Sequence, residues 1–122
     1  MGSKYLIESK DGITTVRFSI DPGLDDICNA IDDVAENYLS ELRLWDLSNG
    51  FSLTDAHLQK LAEYGKSKFL IPSKAAVVAP QDLAFGVARV HDVYREDEFL
   101  EQRVFRTEQE ARAWLISQKQ PK

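Results

Sequence analysis

The stretch ELRLWDLSNGFSLTD, residues 41–55, contains a predicted strand, a turn and the start of a helix. Leu42, Leu44 and Asp46 alternate with their neighbours and therefore share one face of the strand. The serine, asparagine and glycine residues that follow favour a turn. Thr54 is a preferred residue at a helix N-terminus, and a helical pattern begins directly after it. A strand that leads through a loop into a helix is the building unit of an α/β fold.

The N-terminal part of the chain is predicted to form a hairpin and then a helix. Residues 5–20 contain two strand-like segments joined by Asp11 and Gly12, and an Asp-Gly pair supplies the positive φ angles of a tight turn. For the helix that follows, Asp21 is the expected N-cap and Pro22 the first helical residue. Its apolar residues recur at intervals of three and four: Leu24, Ile27, Cys28, Ile31, Val34, Ala35, Tyr38 and Leu39.

Beyond the turn, three further helices and two further strands are predicted. The helices are expected at residues 55–69, 81–97 and 107–117, and the strands at residues 74–80 and 102–106. The middle one of these helices is expected to turn an apolar stripe to the core, formed by Leu83, Val87, Val90 and Tyr94. The last helix begins with a capping box, a threonine followed three residues later by a glutamate, at Thr107 and Glu110.

The order of these elements, β-β-α-β-α-β-α-β-α, defines the expected fold class. Alternation of strands and helices after the hairpin predicts an α/β domain with mainly parallel strands and right-handed crossovers. We expect a mixed sheet of about five strands with an antiparallel N-terminal hairpin and four helices. The 122 residues are predicted to form a single domain, residues 1–122, with a core from about residue 4 to residue 117.

The composition of the chain argues against several classes of function. A net charge of −5 argues against nucleic acid and anionic membranes as partners. The sequence has one cysteine, Cys28, which is expected to be a reduced and buried thiol. The sequence has neither an apolar run of about 18 residues nor a signal segment. A cytoplasmic location is therefore expected, with neither export nor a membrane span.

The usual parts of catalytic and metal sites are missing from the sequence. His57 and His91 are the only histidines and lack zinc-ligand spacing. Nucleophile, phosphate-loop and dinucleotide motifs do not occur, and the acidic pairs of the first helix are expected to form a solvated face. Four arginines alternate with acids and are expected to form surface ion pairs: Arg89, Arg95, Arg103 and Arg106. We therefore expect no enzyme activity, no cofactor and no metal.

The candidate binding surface lies at the carboxyl ends of the strands, where open α/β sheets place their functional crevice. It is predicted to comprise Asp46, Ser48, Asn49, Phe51, Ser52, Thr54, Gln81 and Phe85. Each of these residues also has a structural reading, since serine and asparagine form turns and threonine caps helices. A carboxylate at Asp46 is expected to accept hydrogen bonds from amides of the loop.

Three features together resemble the SpoIIAA-like proteins, the fold group of STAS domains and anti-sigma-factor antagonists. They are the N-terminal hairpin, the sequence DLS at residues 46–48 before a helix that starts near Thr54, and VFRTEQEARAWL at residues 104–115. The resemblance implies a non-enzymatic regulatory module that binds a protein partner and forms a homodimer.

In the antagonists, a serine at this helix start is phosphorylated within an Asp-Ser-Ser-Gly motif. That motif is absent here, so the chain is most similar to the bacterial branch of the group that lacks it. Thr54 is then the candidate phosphoacceptor.

Two alternatives stay open from the sequence. Relatives of this fold group bind lipids, and Phe51 and Phe85 belong to a surplus of aromatic residues, so the chain could carry or sense a small apolar ligand between a helix pair and the sheet. An enzyme that uses Asp46 and a histidine ranks last.

Overall fold

The computed structural model describes residues 4–95 and 97–119, which form five strands and four helices in the predicted order. The strands are β1 (Tyr5–Lys10), β2 (Ile13–Phe18), β3 (Leu42–Asp46), β4 (Ser73–Val78) and β5 (Leu100–Phe105). The helices are α1 (Leu24–Asn37), α2 (Asp55–Lys68), α3 (Asp82–Arg95) and α4 (Glu108–Ser117). The predicted α/β fold with a mixed sheet and four helices is confirmed.

The five strands form one sheet whose spatial order, β1-β2-β3-β4-β5, follows the order along the chain. β1 pairs with β2 antiparallel through a turn in which Asp11 and Gly12 have positive φ angles, as predicted. The other neighbours are parallel. Trp45 illustrates the register, since it pairs with Val16 on one side and with Val77 on the other.

The helices cover the two faces of the sheet unequally. α1, α2 and α3 lie on the same face, because each connects neighbouring strands in chain order and such crossovers share one handedness. Their apolar side chains pack with Val16, Phe18 and Val77 in the larger core cluster. α4 covers the opposite face, where Ala111 and Leu115 pack on Leu44 and its neighbours. The two sides of the sheet therefore have separate cores.

The N-terminus of α1 differs from the prediction. Gly23, in an extended conformation, is the N-cap, and its N–H donates to the Asp26 carboxylate at 2.8 Å. The helix therefore begins later than the Asp21 cap predicts, because a carboxylate inside the first turn already serves the free amide. On the apolar face Cys28 is half-buried against the core, and this burial raises the pKa of its thiol.

The orientation of α3 also differs from the prediction. Val87 and Tyr94 of the expected core stripe are partly buried and pack against the larger core. Leu83 and Val90 of that stripe are 68% and 41% exposed, whereas Ala84, Ala88 and Arg95 are buried. The prediction selected the largest apolar residues, but α3 turns its small side chains inward. Alanine at intervals of four allows a helix backbone to approach its neighbours closely.

Candidate functional site

Asp46 at the end of β3 belongs to an ion-pair network that joins the sheet to α4. Its carboxylate accepts from Arg17 Nη1 at 2.9 Å and from the Ser48 N–H at 2.9 Å. Arg17 also pairs with both carboxylate oxygens of Glu108, which is bonded to Arg112 as well. The hydrogen bond from Arg17 and the second pair with Arg112 lower the pKa of Glu108 to about 2. The expected bond from a loop amide to Asp46 is thus present, and the network fixes the start of the loop.

The rest of the 46–54 loop is held by its own polar groups. Asn49 Nδ2 donates to the carbonyl of Phe18 at 2.7 Å, and Ser52 Oγ donates to the Asp21 carboxylate at 2.7 Å. Gly50 has a φ of 124°, and an added Cβ would lie 2.9 Å from Asp21 Cγ. The predicted candidates Asn49 and Ser52 therefore bond to the end of β2 and to the segment that follows it.

The remaining predicted site residues are Thr54, Gln81 and Phe85, and each has different surroundings. Thr54 is exposed, and its Oγ1 accepts the His57 N–H at 3.3 Å, so it caps α2 as predicted. Gln81 is exposed just before α3, and Phe85 on that helix lies beneath the Arg106 guanidinium at 4.1 Å. Thr54 therefore has a structural role as a cap, and Gln81 and Phe85 lie at the start of α3.

Phe51 is the clearest departure from the predicted surface, because its side chain is only 3% exposed. Its ring lines a cavity of about 60 Å³ between the sheet and the helices on its larger-core side. Most of the lining is apolar and aromatic, with rings from Phe18, Trp45 and Phe69. The polar groups of the lining are Arg43, Arg95, His91 and Gln102.

Arg43 is the most unusual group in this lining, since it is 1% exposed in the centre of the sheet. Its terminal nitrogens donate to the Ser40 carbonyl at 2.8 Å and to Ser73 Oγ at 2.9 Å. The guanidinium lies 4.0 Å from the centre of the Phe69 ring, a cation–π contact. Within the described residues, Arg43 Nε is the one buried side-chain nitrogen or oxygen atom without a hydrogen-bond partner.

Arg95 brings a second guanidinium to the same cavity from the end of α3. It is 3% exposed, which corrects the expectation of a surface ion pair, and it binds the Asp97 carboxylate at 2.6 Å. Its path crosses α2 where Gly65 leaves room, because a Cβ there would lie 2.9 Å from Arg95 Nε. Burial, followed by repulsion from Arg95, lowers the pKa of Arg43 to about 10, so Arg43 carries charge at neutral pH.

His91 and Gln102 form the polar wall between α3 and β5. The two side chains meet at 3.2 Å, from Gln102 Nε2 to His91 Nδ1. Burial of the ring and the nearby charge of Arg95 lower the pKa of His91 to about 4, so the ring is neutral at pH 7. Gln102 then donates to Nδ1, and the proton of the imidazole lies on Nε2.

The cavity adjoins a depression beside the end of α3. Three residues line both spaces: Arg95, Leu100 and Gln102.

A second feature of the surface is the outward face of α3. We use the name α3 stripe for Leu83, Gly86, Val87, Val90 and Val93. Leu83 and Val93 are 68% and 69% exposed, and the stripe borders a shallow groove formed with Asp55 and Leu58 of α2. Single exposed apolar residues are ordinary, but a continuous row along a helix marks a contact surface.

Part of this arrangement has a signal in the sequence. It places Arg43 on the strand face shared by Trp45 and Leu47, where an arginine between apolar residues is unexpected. The pairing of Arg43 with Ser40 and Ser73 depends on the strand neighbours, and no local pattern reveals it.

Comparisons with other proteins give no relatives for the chain: no known family, no curated protein and no solved structure matches it. The resemblance to SpoIIAA-like proteins therefore stays a prediction. Within residues 4–95 and 97–119, no cluster of three or more His, Cys, Asp or Glu side chains could hold a metal ion. In the same part of the chain, no helix has the length and hydrophobicity needed to cross a membrane.

Proposed function

We propose that the protein is a non-enzymatic binding module of the STAS-like type, acting in the cytoplasm through protein contacts made by the α3 stripe. The observation that supports this function is the exposure of Leu83, Val90 and Val93 on a helix that buries Ala84, Ala88 and Arg95. Such rows are the part of amphipathic helices that partner proteins bind. The proposal moves the contact surface from the 46–54 loop to the neighbouring helix.

The spacing of the stripe suits a second copy of the chain. If two α3 helices pair antiparallel about the level of Ala88, Leu83 of one copy faces Val93 of the other, since both lie five positions from the centre. Gly86 then faces Val90, and the open space around Gly86 accepts the larger side chain. A two-fold contact of this kind is self-complementary, as homodimers require.

The dimer is tested by changing one residue of the stripe. We expect Val90→Asp to shift the protein from dimer to monomer in native mass spectrometry and light scattering, because it places a charge in an apolar contact. A single helix pair is a small interface, so the wild-type measurement should extend to protein concentrations on the order of 100 μM.

The matched control is Leu70→Asp, which changes another exposed apolar residue outside the α3 stripe. This variant should dimerise as the wild type does. A wild-type protein that is monomeric throughout, or equal loss of dimer in both variants, contradicts the proposal.

Phosphorylation of Thr54 is a subsidiary part of the proposal. Its support is that Thr54 is exposed and precedes Asp55, which borders the groove beside the α3 stripe. A phosphate there would bind the free amides of α2 and add charge next to the contact surface. Equal labelling of Thr54→Ala by a cognate kinase contradicts this assignment.

The second candidate function, a carrier or sensor of a small apolar ligand, has support from the internal cavity. Its volume of about 60 Å³ is less than the roughly 150 Å³ that accommodates benzene, so a lipid would require α2 and α3 to move away from the sheet. Native mass spectrometry of protein purified gently from cells tests it, and a bound apolar compound lost on denaturation is the expected sign.

A further inference from the structure

We infer that the internal cavity is a binding site for a small oxyanion, a carboxylate or an inorganic anion of a few heavy atoms, held by Arg43. This site is separate from the α3 stripe and does not depend on dimer formation. The inference rests on the buried charge, the free donor and the volume of the cavity.

The charge balance of the cavity favours an anion. Arg43 and Arg95 both line it, and Arg95 is bonded to the Asp97 carboxylate. Arg43 itself is bonded to a carbonyl and a hydroxyl, both uncharged. A buried cation without an ionic partner is unfavourable, so an apolar residue of similar size would stabilise the core more. An anion in the cavity would supply the missing charge.

The donors of Arg43 also fit an oxyanion. A guanidinium has five N–H donors, and the bonds to Ser40 and Ser73 use two of them. The Nε–H has no partner in the described residues, and a guanidinium can pair its Nε–H with a terminal N–H to bind a carboxylate through both oxygens. The neutral His91 ring and the Gln102 amide add polar groups to the opposite wall.

The size and lining of the cavity define the ligand class. A volume of about 60 Å³ is close to that of two water molecules in the liquid, enough for an anion such as acetate or nitrate. The aromatic walls suit the methyl group of a short carboxylate better than the four hydrated oxygens of phosphate. Nucleotides and sugar phosphates are too large for this space.

The anion would enter where the cavity adjoins the neighbouring depression, at Arg95, Leu100 and Gln102. Rotation of side chains at this place would open the cavity without separating any strands.

The first experiment is a titration of the wild-type protein by ¹H–¹⁵N correlation NMR, following the Arg43 Nε–H and the Trp45 indole N–H. Sodium acetate, sodium nitrate and sodium phosphate are added separately at pH 7, with sodium chloride at equal ionic strength as the control. We expect saturable shifts with acetate and nitrate in the millimolar range, and weaker effects with phosphate. Absence of a saturable shift at Arg43 with all three anions, up to about 100 mM, overturns the inference.

The second experiment compares Arg43→Met with Arg106→Met, the same change at an exposed arginine stacked on Phe85. We expect Arg43→Met to melt at or above the wild-type temperature without added anion, and to lose at least tenfold in acetate affinity. Arg106→Met should bind acetate as the wild type does. If Arg43→Met binds acetate with unchanged affinity, the arginine is not the anion ligand and the inference is wrong.

A purely structural Arg43 gives a different pattern, in which its replacement lowers the melting temperature and acetate has no effect on either protein. If Arg43→Met does not fold, Arg43→Lys provides the comparison, since it keeps the charge but removes the paired N–H groups. We expect at least tenfold weaker binding of acetate by this variant.

Discussion

Gly65 and Gly86 lie on neighbouring helices and have opposite surroundings. A Cβ at Gly65 would lie 2.9 Å from the buried Arg95 guanidinium, whereas at Gly86 it would meet no described atom within 4 Å. Alanine favours a helix over glycine by about 1 kcal/mol in either position. An alanine at position 86 therefore reports the gain in helix propensity alone. An alanine at position 65 reports the same gain together with the cost of displacing Arg95.

We expect Gly86→Ala to raise the free energy of unfolding by about 0.5–1 kcal/mol and Gly65→Ala to lower it by about 1 kcal/mol. The loss arises because overpacking costs about 1–3 kcal/mol, which exceeds the helix gain. Urea denaturation of both variants checks the pair. Equal stabilisation by the two substitutions would mean that Arg95 can move at little cost.

Local chemistry at single residues is predictable from sequence where the partner lies within one helical turn. Thr54 and Thr107 cap their helices as predicted, because each hydroxyl bonds to an amide three residues later. The burial of Arg43 and Arg95 is not predictable in this way. Their surroundings come from strands and helices far apart in the sequence, which the pattern of residues near them does not encode.

At the scale of elements, α4 is joined to the sheet by charge as well as by its apolar face. Glu108 at the start of α4 binds Arg17 of β2 and Arg112 one turn later, while Arg112 also reaches Thr15 at 3.0 Å. A carboxylate in the first turn of a helix is further stabilised by the helix dipole. The Glu108 side chain thus connects β2 to the first two turns of α4.

We expect Glu108→Gln to lower the free energy of unfolding by about 1–2 kcal/mol, because it weakens charge-assisted bonds that are partly shielded from solvent. Chemical denaturation at pH 7 measures this loss. Glu101→Gln is the control, since Glu101 pairs with Lys74 and Arg103 at a more exposed site and should cost less than 1 kcal/mol. A larger loss at Glu101 would contradict the role assigned to the network.

The elements themselves are predictable because their periods differ clearly along the chain, and the order of strands and helices is confirmed. The side of α3 that faces the core is not predictable from the sequence. Its sequence has two rows of apolar residues, one with alanines at positions 84 and 88 and one with Leu83 and Val90. Only the close approach of α3 to its neighbours selects the row of small residues.

At the scale of the whole molecule, His91 makes stability depend on pH. Its pKa in the folded protein is about 4, below the ordinary value of 6.5, because of burial and the positive charge of Arg95. Between these values the unfolded chain binds a proton that the folded protein excludes, so stability falls as the pH drops from 6.5 toward 4. Protonation of Glu108, whose pKa in the folded protein is about 2, lowers the stability only as the pH falls below the ordinary value of 4.5.

We expect His91→Gln to reduce the loss of stability between pH 6.5 and 4.5, where the carboxylates contribute little. One proton accounts for at most about 1.4 kcal/mol per pH unit. Thermal unfolding at half-unit pH steps measures the slope, with His57→Gln as the control at an exposed histidine. An unchanged slope in His91→Gln would show that another group is responsible.

The placement of α4 alone on one face of the sheet has a consequence for synthesis on the ribosome. The strands β2, β3 and β4 emerge together with α1 and α2, which cover only their other side. Until residues 108–117 have been translated, Ile13, Leu44 and Val78 present an uncovered apolar surface to the cell. A nascent chain that stalls before α4 therefore exposes an apolar sheet face to which chaperones and other nascent chains can bind. Aggregation during synthesis is then prevented only once the last helix has been translated and has packed on this face.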